Sequence, residues 1–237
     1  MDVEFADTSG SLLSPKNSIL DLAMFSGRPR RDFEDNLALK HLDGCSRILD
    51  VGCGNGRFMK MVGSERIVGI EQNPESVAEV EAAGFEVLQG DALELEKLNR
   101  RFDAIHCSHI LEHLYPEQVH AFLKSMDAVL DPGGIFVVRG PLLSDYFFDD
   151  LSHIRPYTPH VFKRYLTADG GGQKSHEGLG PFDVVDLYNA RLPLVYVRHA
   201  RGKVLWTAKR FFDTLSVRTP LRRIKADQFV MVFRKQE

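Results

Sequence analysis

The chain has 237 residues, 43% hydrophobic and 27% charged, an ordinary globular composition with enough length to bury one core. No run of about 18 consecutive apolar residues occurs, and the first ten residues carry acids in place of a basic cluster, so neither a spanning helix nor a signal peptide is expected. The net charge of −3 hides an asymmetry: from Arg191 onward there are 12 Lys/Arg against 3 Asp/Glu, whereas the preceding residues hold 18 against 30, a contrast that points to an anionic partner for the C-terminal part.

Residues 1–46 read as an arm, mixed in Ser, Gly and Pro over 1–30, leading into a helix over about 31–42 with Phe33, Leu37, Leu39 and Leu42 as a partial apolar stripe. Strand and helix signals then alternate: strand 47–51, helix 55–62, strand 66–70, helix 74–83, strand 85–89. The helix over 74–83 has Asn73 as N-cap, Pro74 at its first position and Gly84 just past its end. Next come a strand over 102–107 and a helix over 116–130 with Val119, Phe122, Leu123, Met126, Val129 and Leu130 on one face. The turn Asp131-Pro132-Gly133-Gly134 leads into a fifth strand over 135–139. Such alternation predicts parallel βαβ units.

Beyond it the pattern changes. Residues 142–155 are aromatic and acidic, Thr158-Pro159 opens a short helix to about 166, and 169–180 is a glycine-rich loop. Strand-like runs return at 182–188, 194–199 and 228–234, which fit a final antiparallel pair split by a basic insertion. The chain, 1–237, is therefore expected to be a single α/β domain with a Rossmann-like doubly wound sheet. Its ligand-binding core is 47–139, an acceptor-covering segment is 140–181, and 182–237 supplies the closing strands. Cys45, Cys53 and Cys107 form no C-x-x-C pair, so reduced thiols in a cytoplasmic protein are expected, with no disulfide framework and no metal site.

The most informative stretch is Ile48-Leu49-Asp50-Val51-Gly52-Cys53-Gly54-Asn55-Gly56. A buried strand runs through an acid into three glycines at alternate positions, a backbone that can turn tightly and approach a ligand closely before the next helix. A dinucleotide site uses the spacing G-x-G-x-x-G, and here Arg57 stands at the last of those positions. S-adenosylmethionine has no phosphate and carries a sulfonium and an amino-acid end, so an acid before the turn suits it. Two further acids follow successive strands. Glu71, ahead of Gln72, is placed to accept ribose hydroxyls, and Asp91, ahead of Ala92, is placed to accept the adenine amino group.

The ordered runs ILDVGCGNG, VGIEQN, GDA, FDAIHCSHILEHL and LDPGGIFVV, spanning about 47–139, resemble the motifs of class I S-adenosylmethionine-dependent methyltransferases. The resemblance implies seven strands, mostly parallel with the last antiparallel. It also implies that Asp50, Gly52, Cys53, Gly54, Glu71, Gln72, Asp91 and Ala92 bind S-adenosylmethionine and that Cys107 and Ser108 line the cleft. Glu112-His113 is a frequent pair in that superfamily, expected to have a structural role at the helix start. The phrase DDLSHIRPYTP, with EHLYPEQ upstream, is similar to methyltransferases that modify O-antigen and related surface glycans.

Methyl transfer from a sulfonium is an in-line displacement in which the protein mainly supplies alignment and a dry cleft. A hydroxyl acceptor also needs a base within hydrogen-bond reach, whereas a phosphate acceptor needs Arg or Lys to position it. The crowded loop after the fifth strand offers His153 as the base, with Asp150 and His109 as further catalytic candidates and Arg155 and Tyr157 as acceptor-binding residues. The expected partner is a sugar or other small hydroxyl or phosphate acceptor. The basic segment from Arg201 to Lys225, with Trp206, Phe211 and Phe212 among its charges, is a candidate for peripheral contact with an anionic membrane. Nucleic acid is not an expected partner, for no arginine-rich stripe accompanies a recognition fold. An RNA methyltransferase and a non-catalytic cofactor-binding scaffold are the alternatives, and the intact set of turn and acids argues against the scaffold.

Overall fold

The computed structural model describes residues 30–144, 147–168, 178–190 and 228–237. From Glu34 onward these belong to one compact unit, Glu34–Arg191 with Lys225–Glu237. The N-terminal arm, most of the glycine-rich loop, the strand-like run 194–199 and the basic segment 201–225 lie outside the described residues.

Helix α1 (Arg30–His41) precedes β1 (Ile48–Val51), α2 (Arg57–Val62), β2 (Ile67–Glu71), α3 (Pro74–Ala82) and β3 (Val87–Gln89). A 3-10 segment (Ala92–Leu98), β4 (Phe102–Ser108), a 3-10 turn (Leu111–His113), α4 (Pro116–Val129) and β5 (Leu130–Pro141) complete the alternating part. A short 3-10 turn (Phe147–Asp149), α5 (Pro159–Leu166), β6 (Phe182–Ala190) and β7 (Gln228–Lys235) follow. One seven-stranded sheet results, in the order β3-β2-β1-β4-β5-β7-β6. Strands β1 to β5 are mutually parallel, and β7 is antiparallel to both β5 and β6. This is the doubly wound, mostly parallel sheet expected from the sequence, with its order reversing between β1 and β4, where such sheets hold ligands.

The boundary residues act as their chemistry dictates. Asn73 Oδ1 accepts from the Glu75 N–H at the start of α3, with Pro74 at the first helical position. Helix α4 buries Val119, Phe122, Leu123, Met126 and Val129 against the sheet. That face joins Leu49, Ile105, Phe136 and Val138 in the core, each such side chain contributing about 1.5–3 kcal/mol on removal from water. Several boundaries move by one or two residues, and the largest difference from the sequence expectation is at β5, which begins at Leu130 because Leu130 pairs with Phe102 before a register shift admits the Asp131-Pro132-Gly133-Gly134 segment. Pairing with β4 on both sides of that irregularity keeps the turn-forming residues within the strand.

Candidate active site

The turn after β1 is fixed at both ends of its span. Gly52 and Cys53 donate their N–H groups to Ile70 O at 2.8 and 3.2 Å, and Gly52 and Gly54 have φ of 63° and 52°. These left-handed values favour glycine. A Cβ on Gly52 would stand 2.4 Å from Ile110 Cδ1, so a side chain from the loop after β4 closes directly over the turn. A Cβ on Gly54 would meet nothing within 4 Å, leaving its backbone facing open space.

Glu71, at the end of β2, ties this turn to the next. Its Oε2 accepts from the Gly54 N–H at 2.9 Å, while Oε1 accepts from the N–H groups of Gln72 and Asn73 at 2.9 Å each. Three backbone donors thus hold a half-buried carboxylate at the carboxyl edge of the sheet. Asp91 is exposed and accepts from the Leu93 N–H at 2.9 Å, capping the 3-10 segment that begins at Ala92. Cys53 is buried beneath the turn, where burial first, and then the charges of Asp50 and Glu71, push its thiol up to about 12.

Asp50 has a different environment from these edge acids. It is paired in register with His106 of β4, its Oδ1 lies 2.7 Å from His106 Nδ1, and the Phe58 ring stacks on the imidazole with centroids 3.8 Å apart. Both side chains are buried, so Asp50 supports the cleft floor from within. Cys107 is fully buried, with its thiol raised well above the ordinary range by burial and then by the charge of Glu112. Ser108 Oγ contacts Arg139 Nε, and Arg139 Nη1 reaches Asp35 Oδ1 of α1 at 2.6 Å. Arg57 of α2 meets the other oxygen of Asp35 at 2.5 Å. His106, Arg139 and Asp35 carry no sequence signal of this role, although His106 is a polar residue amid the apolar run Ala104, Ile105 and Cys107.

On the acceptor side, the loop after β4 turns sharply: His109 has φ of 57°, its N–H donates to Arg139 O, and its Nδ1 lies 3.0 Å from Glu112 Oε1. Glu112 is only 2% exposed, and its Oε2 has no hydrogen-bond partner among the described residues. Its carbonyl accepts from the N–H groups of Ile154 and Arg155 at 2.8 and 3.3 Å, which brings the 147–155 loop back beside the end of β4. His153 is half-buried there, its Nδ1 2.6 Å from Phe147 O, and His113 Nδ1 is 3.2 Å from Ser152 O. The two rings lie 5.0 Å apart.

The other candidates in this loop are used differently. Asp150 is exposed and caps the loop, accepting from Ser152 Oγ at 2.5 Å and from its N–H at 2.9 Å, hydrogen bonds that hold its carboxyl below the usual range. Tyr157 packs in the core with its hydroxyl donating to Leu114 O at 2.9 Å, so its polar end is engaged inside the protein. Burial raises that phenol. Arg155 is exposed, its guanidinium 5.7 Å from the Tyr157 ring centroid.

A sheet in this order, with a glycine turn after β1 and a backbone-held acid after β2, is the Rossmann-like fold also found in S-adenosylmethionine-dependent methyltransferases. S-adenosylmethionine is the cofactor of this fold, and the site suits it. Gly54 faces space that a Cβ would fill, and Glu71 offers carboxylate lone pairs to a ribose diol. Residues 48–134 match the family described as a methyltransferase domain. Over 113 residues the chain is 32% identical to the ubiquinone biosynthesis O-methyltransferase of Azorhizobium caulinodans, covering 44% of this chain and 43% of that protein. The chain spans less than half the length of the first curated relatives it matches.

Among solved structures, a SAM-dependent methyltransferase from Archaeoglobus fulgidus aligns with a TM-score of 0.58 at 20% identity, covering 91% of this chain and 99% of that one. The N-methyltransferase NodS of Bradyrhizobium japonicum in complex with S-adenosyl-L-homocysteine aligns with a TM-score of 0.57 at 16% identity, covering 87% of each chain. Among the described residues no helix is long and apolar enough to cross a membrane.

Proposed function

We propose that this chain is an S-adenosylmethionine-dependent methyltransferase that O-methylates a sugar or other small hydroxyl acceptor in glycan biosynthesis. When bound, the cofactor supplies an activated methyl group on sulfonium sulfur. Gly52, Gly54 and Glu71 bind and orient it, with Ile110 closing over the turn to limit water. The observation that carries the hydroxyl reading is the gathering of lone pairs beside the end of β4: Glu112, His113 and His153 each bring a ligand-capable atom within 4.8 Å of the others. A phosphate acceptor is already anionic and would call for guanidinium or ammonium groups there. A hydroxyl must lose its proton as the new bond forms, which lone pairs of this kind assist. The relative that is itself an O-methyltransferase supports the same class of acceptor atom.

The test incubates the protein with labelled S-adenosylmethionine and fractionated glycan, lipid and RNA pools. Label in a base-stable ether of the glycan fraction is the expected result. Label confined to RNA would replace this reading with that of an RNA methyltransferase, and label in no fraction despite cofactor binding would leave a scaffold. On the verified acceptor, His153→Ala is expected to lower kcat by roughly 100-fold while the cofactor Kd stays near wild type.

A further inference from the structure

Glu112, His113 and His153 stand on two segments about 40 residues apart in sequence that are joined by backbone hydrogen bonds from Ile154 and Arg155 to the Glu112 carbonyl. We propose that these three side chains form a binding site for a first-row divalent metal ion, and that the ion holds the acceptor hydroxyl. No metal site was expected from the sequence; the folded loop brings these three side chains together.

Three independent features support the assignment. A ligand-capable atom from each residue lies within 4.8 Å of the others, near enough for side-chain adjustment to bring all three onto one ion. Each histidine has Nδ1 against a backbone carbonyl, Phe147 O for His153 and Ser152 O for His113. A carbonyl only accepts, so Nδ1 carries the proton in both rings and Nε2 keeps the lone pair. This is the supporting arrangement that orients metal-ligating histidines. Finally, Glu112 is a buried carboxylate with Oε1 engaged by His109 and Oε2 without a hydrogen-bond partner among the described residues, a costly state unless a cation meets it.

Two imidazoles and one carboxylate on one side of an ion leave coordination positions open on the other, and they suit manganese, iron, cobalt or zinc better than magnesium. The role in catalysis rests on the methyl-transfer reading; the binding of metal does not. In that role the cation lowers the pKa of the hydroxyl it holds. The proton leaves to water, the acceptor oxygen forms a bond to the methyl carbon, the sulfur–carbon bond breaks and sulfur keeps the electron pair. His153 then serves the hydroxyl as a ligand to the ion instead of taking its proton.

The experiment titrates metal-stripped full-length protein with cobalt(II) and manganese(II), following heat and the visible absorption of bound cobalt, with S-adenosylmethionine binding measured separately on every variant. One-to-one binding with a cobalt ligand-field spectrum is expected, weakened about 10-fold or more by His113→Ala, His153→Ala and Glu112→Gln. Cofactor binding should persist in the two histidine variants, which shows that they fold. Should Glu112→Gln fail to fold, the half-buried His153 and His113 still decide the question. Wild-type protein that binds the cofactor but neither ion, or binding unchanged in both histidine variants, overturns the proposal while leaving the methyl-transfer reading intact. Metal bound at these residues without cofactor binding would uphold the site and remove that reading.

Discussion

Asp50 on β1 and His106 on β4 stand opposite each other in the parallel ladder and share a 2.7 Å hydrogen bond, with their side chains only 4% and 1% exposed. Removing the acid strands the imidazole in the interior under Phe58. Asp50→Ala is expected to lower unfolding free energy by about 1–3 kcal/mol in urea titrations and to weaken cofactor binding in parallel, since the turn it supports begins two residues later. Asp50→Asn, which keeps an acceptor in place, should lose less of both. Unchanged stability in Asp50→Ala would show that the pair does not hold the floor of the cleft.

The two glycines of the turn should respond differently to the same substitution. Gly52→Ala adds a Cβ 2.4 Å from Ile110 Cδ1 at a left-handed φ, so it should displace the loop after β4 and lower Tm strongly. Gly54→Ala meets no atom, so its stability cost should be near the left-handed backbone penalty of about 1–2 kcal/mol, with the larger effect on cofactor Kd by calorimetry. Equal Tm losses in the two variants would contradict this division.

Asp35 and Arg139, 104 residues apart, join α1 to β5 through an ion pair with both side chains buried. Asp35→Ala leaves the guanidinium without its carboxylate and should cost about 3–5 kcal/mol in urea. Replacing both, Asp35→Leu with Arg139→Met, should recover much of that loss, because the second change removes the unpaired charge. A double variant less stable than Asp35→Ala would show that the arginine is held by other contacts.

Burial raises the thiols of Cys53 and Cys107, Cys53 to about 12. An unfolded thiol ionises near about 8.5, so above that pH the unfolded chain has released protons that the folded chain retains. Stability is therefore fully present below about pH 8.5 and falls as pH rises toward 12. Urea midpoints measured at pH 8 and 10.5 should drop accordingly, and Cys53→Ala should flatten the decline. A decline of the same steepness in that variant would assign it to other groups, Tyr188 among them, whose phenol is also raised by burial and then by Asp186.

Much of the fold was legible because its signals are local. Asn73, Pro74 and Gly84 bound one helix within a dozen residues, and the apolar face of α4 repeats at helical spacing. The glycine turn and Glu71 were legible for the same reason, since each directly follows a buried strand. What could not be read is the pairing of side chains across the sheet. Nothing near Asp50 indicates that His106 lies beside it, and nothing near Asp35 indicates Arg139. Glu112-His113 read as a helix-start feature because their partner His153 arrives only when Ile154 and Arg155 bond to the Glu112 carbonyl. Tyr157 was expected to bind the acceptor, yet it and Phe147 spend their rings on packing. Composition alone does not separate those uses.

The margins of the sheet bear on how the protein behaves when concentrated. Among the described residues the last strand on one side is β3, with only three residues, and on the other is β6, which carries Asp183 and Asp186 and shifts register between Val184 and Asp186. A short margin offers a neighbouring chain few backbone partners. The other margin is interrupted by its register shift and carries the exposed Asp183, which disfavours pairing with a second copy despite the exposed Val185 and Leu187. Among the described residues, neither margin is the long flat template on which partly unfolded molecules join into fibrous aggregates.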